Sequence, residues 1–137
     1  MTDIAKIAHA FFEACETGKG WAVCRAWCTP DATFSAQAEP LLEIKTLAGY
    51  CDWMQGLMTV LTDGAYHIKS FATDAERQNV TAFAVFTGTH LAGGPVPPTG
   101  RKVEADYVYC MQFTGDKITH MTKIWHSWIS LQQLGWA

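Results

Sequence analysis

Residues 117–136 read KITHMTKIWHSWISLQQLGW. Alternation divides the middle of this stretch into Thr122, Ile124, His126 and Trp128 on one side and Met121, Lys123, Trp125 and Ser127 on the other, which is the period of a strand. Each side carries a tryptophan. The spacing predicts a strand from Lys117 to Leu131 in the middle of a sheet covered on both faces, with the ionisable His126 held inside that covering. The functional site is expected around this strand.

Working outward, the period of two recurs in Arg101 to Thr114, Asn79 to Leu91 and Ala65 to Thr73. The turns at Asp74 to Arg77 and Thr114 to Asp116 are short enough for hairpins, so antiparallel order follows. Ala92 to Gly100, AGGPVPPTG, is a stiff proline-rich loop expected to shape one end of a cavity. Before Asp63-Gly64 the period changes to that of helices. Thr46 is an expected N-cap for a helix in which Tyr50, Trp53, Met54, Leu57, Met58 and Leu61 recur at three and four. Residues 4 to 17 place Ile4, Ile7, Ala8, Phe11 and Cys15 on one helical stripe, with Thr2 and Asp3 as caps and Gly18 and Gly20 ending it. Trp21 to Cys28 reads as a second helix stopped by Pro30, Ala32 to Ala36 as a short first strand, and Gln37 to Glu43 has room for one helical turn. Helices followed by a run of strands predict an α+β fold, in one domain spanning residues 1–137.

Composition narrows the function. Half of the residues are apolar (49%) and six are tryptophan, more than a core of this size uses, so part of the excess is expected to line a pocket or a subunit interface. The formal charge of −3 and the absence of a Lys/Arg run argue against nucleic acid or anionic lipid as partners. No apolar run reaches the ~20 residues that span a bilayer, and MTDIAKIA lacks the features of a signal peptide, so the expected location is the cytoplasm. Five cysteines (Cys15, Cys24, Cys28, Cys51 and Cys110) are an odd number, three of them inside apolar helical patterns, and free thiols are expected. Cys24 and Cys28, spaced by four on one predicted helix, lack a second pair with metal-site spacing, and no metal is expected. A nucleophile elbow and a glycine-rich dinucleotide fingerprint are also missing, which leaves cofactor-free acid/base chemistry.

Gly88-Thr89-His90, Pro97 to Arg101 (PPTGR), the GDKI hairpin and Leu131 to Gly135 (LQQLG) form an ordered set. In that set the second half of the chain resembles the SnoaL-like polyketide cyclase and ester cyclase branch of the nuclear transport factor 2-like (cystatin-like) superfamily. The resemblance implies a cone-shaped, bent antiparallel sheet wrapped around N-terminal helices and enclosing a pocket. It implies a cyclase or isomerase acting next to a carbonyl of an apolar, polyketide-like substrate; a non-catalytic small-ligand-binding or accessory module is the alternative. The family commonly keeps an acidic residue in the last strand. Here that position is His126, while a usual histidine is replaced by Met121 and a usual aspartate by Lys123.

His126 is therefore the expected proton-transfer residue, since imidazole exchanges a proton near neutral pH, or else a core histidine hydrogen-bonded to backbone or tyrosine. His90, on the face of Phe86 and next to the proline loop, is the expected partner acid or carbonyl-orienting group, or else a strand-end residue that caps the loop. Tyr107 and Tyr109 share a face with Met111 and are placed to donate to a developing oxyanion. Tyr50, Trp53 and Met54 read either as core or as pocket wall, and Phe34, Phe86, Met111 and Trp128 complete the expected lining for a small apolar or aromatic carbonyl-containing ligand. Aromatic residues on both sides of the last strand also point to a homodimer through the outer sheet face.

Overall fold

The computed structural model describes residues 3–137. In chain order it has α1 (Ile4–Glu16), α2 (Trp21–Cys24), β1 (Cys28–Ala36), α3 (Leu47–Val60), β2 (Ala65–Asp74), β3 (Asn79–Thr89), β4 (Lys102–Thr114), β5 (Lys117–Trp125) and α4 (Ser127–Leu134), with 3₁₀ turns at Arg25–Trp27 and Glu39–Leu41. Asp3 caps α1 by accepting from the amides of Ala5 and Lys6, and Thr46 caps α3 by accepting from Gly49. Thr2, the other expected cap, lies outside the described residues.

The five strands form one sheet in the order β1-β5-β4-β3-β2. The α+β class and the helices-first order agree with the sequence, and among the described residues no helix is long and apolar enough to cross a membrane. One pairing differs from expectation. β1 runs parallel to β5, whereas the three other pairings are antiparallel. Short turns dictate direction only between consecutive strands, and β1 and β5 are separated by most of the chain. The inner face carries Tyr107, Tyr109 and Met111 of β4, with Ala84 and Ala82 opposite the two tyrosines on β3 and Lys123 opposite Tyr109 on β5. Those small alanines leave space over the tyrosines, and α1 packs into it against β2 and β3.

Two boundary expectations are corrected. The predicted helix Trp21 to Cys28 ends at Cys24, and β1 begins at Cys28. Pro30 is tolerated inside β1 because this is an edge strand, where a missing N–H costs no ladder bond, and the register there is irregular. Cys24 and Cys28 consequently do not share a helix face. Instead Cys15, Cys24 and Cys51, from α1, α2 and α3, bring their buried thiols within 4.8 Å of one another. All five cysteines are free.

The second correction concerns the predicted last strand, which stops at Trp125. Ser127, Ser130 and Leu134 are its buried successors, a helical spacing that the Trp and His alternation conceals. Gly135, at φ +76°, ends α4: its amide bonds to the Gln132 carbonyl and that of Trp136 to the Leu131 carbonyl, which turns Trp136 back over the sheet. On the outer face, Phe83, Val108 and Ile124 sit side by side across β3, β4 and β5, with Phe83 36% and Ile124 59% exposed.

Candidate functional site

Packing of α1 sets the first functional group. Phe12 lies parallel to Tyr107 and tilts against Tyr109, with ring centroids 6.3 and 5.2 Å apart, and one helical turn later Glu16 arrives over the two hydroxyls. Tyr107 donates to Glu16 Oε2 at 2.6 Å, and Tyr109 donates to Oε1. From α3, Tyr50 is fixed by stacking on Phe34 of β1 at 4.4 Å, and its hydroxyl bonds to that of Tyr109. Lys123 Nζ then donates to the Tyr50 hydroxyl at 2.9 Å. A continuous chain of hydrogen bonds runs Lys123, Tyr50, Tyr109, Glu16, Tyr107.

Two members of this chain, Glu16 and Lys123, are ionisable groups taken out of water. Glu16 is 2% and Lys123 6% exposed. Burial raises the Glu16 pKa, opposed by the nearby Lys123 ammonium and the two tyrosine hydrogen bonds. Burial also brings Lys123 down from 10.5 to about 8, opposed by the Glu16 carboxylate. Five rings surround the ammonium, with Nζ 4.5 Å from the Trp125 centroid, 5.1 Å from Tyr50, 5.4 Å from Trp53, 5.5 Å from Tyr107 and 5.8 Å from Tyr109. Trp125 is held by its own bond, Nε1 to Ser130 Oγ of α4 at 2.9 Å.

Glu16 and Lys123 both border a cavity of about 340 Å³. Its walls are Trp53, Met54, Leu57 and Leu61 of α3 and its cap, Phe86 of β3, Tyr107 of β4, Trp125 of β5, and Leu131, Leu134 and Trp136 at the C-terminal end. Exposed Glu39 and Pro95 mark its rim, so the stiff loop 92–100 reaches the mouth through Pro95. An apolar chamber with one buried carboxylate and one buried amine in its wall can bind a compact carbonyl compound, remove a proton from it and polarise its oxygen.

The expected histidines are not in this chamber. His126, expected inside the sheet, is exposed at the start of α4 and lines a shallow recess with Ile124 and Trp128, because the strand has already ended. Trp128 is 55% exposed on the same helix rather than lining the cavity. His90 is buried, but its ring is fully engaged. Nε2–H donates to the Gly93 carbonyl at 2.6 Å, and Nδ1 accepts from the Thr99 amide at 3.1 Å and from Trp136 Nε1 at 3.0 Å. That is the loop-capping reading of His90, extended to the C-terminal segment.

Of the expected lining, Trp53, Met54, Phe86 and Tyr107 border the cavity, Tyr50 and Tyr109 stand behind it in the hydrogen-bond chain, and Phe34 and Met111 are buried core. Glu16 was not among the expected residues, although it follows Phe12 by four on the buried stripe of α1, where a carboxylate has no reason to sit unless paired. Lys123 carried the same signal, alternating with Met121 and Trp125.

The profile of the SnoaL-like domain family matches residues 8–121. Among solved structures, the fold is shared with a proposed polyketide cyclase from Acidithiobacillus ferrooxidans at TM-score 0.78 and 20% identity, covering 98% of this chain and 96% of that one. IdmH, a proposed polyketide cyclase from Streptomyces antibioticus, superposes at TM-score 0.76 and 20% identity over 97% of this chain and 99% of that one. A protein of ketosteroid isomerase-like fold from Catenulispora acidiphila, solved in complex with trimethylamine, gives TM-score 0.72 at 17% identity over 100% and 96%. None of the curated protein sequences is similar enough to this chain to match it.

Proposed function

The chain belongs to the SnoaL-like domain family, and from that premise we propose that it is a cofactor-independent cyclase or isomerase acting next to a carbonyl of a compact, apolar, polyketide-like substrate. The observation that carries this reading is the buried Glu16 and Lys123 pair in the wall of one aromatic cavity, joined through tyrosines. The Glu16 carboxylate takes the proton from the carbon beside the substrate carbonyl. Its raised pKa makes it a stronger base than an exposed glutamate. The electron pair moves onto the carbonyl oxygen, whose developing negative charge is stabilised by the Lys123 side chain in a site with little competing water. The resulting enolate either attacks a second carbonyl of the same molecule, closing a ring, or is reprotonated at another carbon by Glu16. Both partners are side chains, so the step needs no added group. A cavity of about 340 Å³ sits at the small end of the ~300–1,000 Å³ usual for ligand sites, which favours a bicyclic over a long extended substrate.

Deuterium exchange at the α-carbon of 1-tetralone in D₂O, followed by NMR, tests the proton-transfer step. The wild type accelerates exchange and Glu16→Gln loses at least ~100-fold of that acceleration, the ordinary contribution of a general base. Equal exchange by the two proteins refutes the role of Glu16. We further propose that two copies pair through the outer face at Phe83, Val108 and Ile124, which a stable interface of more than ~1,200 Å² in total would cover.

A further inference from the structure

We propose that Lys123 does more than polarise the carbonyl: it condenses with it, so that the cavity takes aldehydes and ketones as protonated Schiff bases. This rests on the reading of the cavity as a carbonyl site and adds a covalent step to it. Geometry gives the argument. Among the described residues Nζ is anchored at only one partner, the Tyr50 hydroxyl at 2.9 Å, while three of the rings nearest to it, Trp53, Tyr107 and Trp125, are themselves cavity wall. The amine is thus presented to the chamber from within an aromatic collar, with its carbon stem buried in β5. Among the described residues no carboxylate lies within ion-pairing distance of it, so a neutral amine loses no direct salt bridge.

The collar also selects the ligand. Cages of this kind hold cations against ring faces, and here the cation is supplied by the protein itself. A positively charged ligand is therefore excluded, and a neutral aromatic or alicyclic carbonyl compound fits.

The chemistry balances with groups already present. The neutral amine attacks the carbonyl carbon, forming a C–N bond as the C–O π pair moves to oxygen, and a proton transferred from nitrogen gives the carbinolamine. Loss of the hydroxyl with one added proton, as water, leaves the protonated imine. The Lys123–Tyr50–Tyr109–Glu16 chain supplies a route for both protons. The iminium then acidifies the adjacent C–H far more than a carbonyl does, and Glu16 removes that proton to give a neutral enamine, the carbon nucleophile for ring closure. Burial supports the first step, because an amine that titrates near 8 is neutral in about one molecule in ten at pH 7.

The test is reductive trapping of 2-naphthaldehyde, which has no α-hydrogen, with sodium cyanoborohydride on the full chain. Hydride addition to the imine carbon fixes a secondary amine that is located by peptide mass mapping. Lys123 is modified at least about tenfold faster than any exposed lysine at pH 7, with a rate that levels off above about pH 8, and Lys123→Arg, which keeps the cation, yields no adduct at residue 123. Mapping of the wild type alone is decisive should the variant fold poorly. Labelling spread over exposed lysines with Lys123 untouched overturns the inference. Its failure is separable from that of the acid/base reading: α-proton exchange without a Lys123 adduct removes only the covalent step, whereas an adduct without exchange removes only the role of Glu16.

Discussion

Replacing Lys123 by methionine is expected to make the protein more stable. Burial of the ammonium brings its pKa from 10.5 to about 8 even with the attraction to Glu16 included. At about 1.36 kcal/mol for each factor of ten, the folded protein at pH 7 carries the cation at a cost of about 3 kcal/mol relative to the unfolded chain. Methionine fills nearly the same volume without charge and gives up the hydrogen bond to Tyr50, worth about 1 kcal/mol, so the net gain at pH 7 is about 2 kcal/mol. Proton counting sets the pH dependence. Between about pH 8 and pH 10.5 the unfolded chain binds a proton at this position that the folded protein has released, so wild-type stability rises with pH through that window and the full penalty is present only below it. Urea denaturation of both proteins, followed by tryptophan fluorescence, measures the difference. The advantage of the variant falls from about 2 kcal/mol at pH 7 to near zero at about pH 9.5. A variant that is less stable than the wild type by the same amount at both pH values refutes the reasoning, since Lys123 would then be a net stabilising residue.

Truncating His90 to alanine leaves the Thr99 amide, the Trp136 indole N–H and the Gly93 carbonyl without their ring partner, and an unfolding free energy lower by about 3 kcal/mol is expected. Ligand affinity falls with it, because Trp136 and the loop carrying Pro95 are cavity wall; an unchanged urea midpoint would contradict the capping role. Cys110 is the one half-exposed thiol, so a thiol-reactive chromophore should titrate one cysteine in the folded protein and five in denaturant. Cys110 also sits on the outer face proposed for pairing, and its reaction should slow as protein concentration rises through the dimer range seen by sedimentation. Concentration-independent labelling together with a 15.2 kDa species would remove the dimer.

Strand periodicity was clear where a strand has one covered face and a short turn at its end, as in Asn79–Thr89 and Lys102–Thr114, because alternation and turn residues there report the same constraint. It misled at Trp125 to Trp128, where tryptophan and histidine alternate across a strand-to-helix junction; the helix is betrayed only by the serine and leucine spacing and by Gly135 at its end. The aromatic wall was legible for the same reason that cores are, since Tyr50, Trp53 and Met54 fall on one stripe. The charged pair was harder to see. Glu16 and Lys123 each sit on an apolar stripe, but nothing local says that two such positions on α1 and β5 face each other, which only the sheet order decides. Histidine is the residue whose ordinary pKa lies nearest pH 7, and here burial brings a lysine toward that range instead.

The packing of α1 and α3 against the sheet governs when this pair of groups comes together. Glu16 meets Tyr109 across 93 residues of chain, and Lys123 meets Tyr50 across 73. Contacts of that length must close large loops before they return any energy, so they form after the hairpins of β2, β3, β4 and β5, whose partners are adjacent in sequence. A refolding chain therefore gains its meander and its helices while Glu16 and Lys123 are still hydrated, and the two groups leave water only when α1 and α3 close over the sheet. The step that brings Glu16 and Lys123 together is thus also the one that takes ionisable groups out of water, and it comes late, on top of a sheet already able to support it.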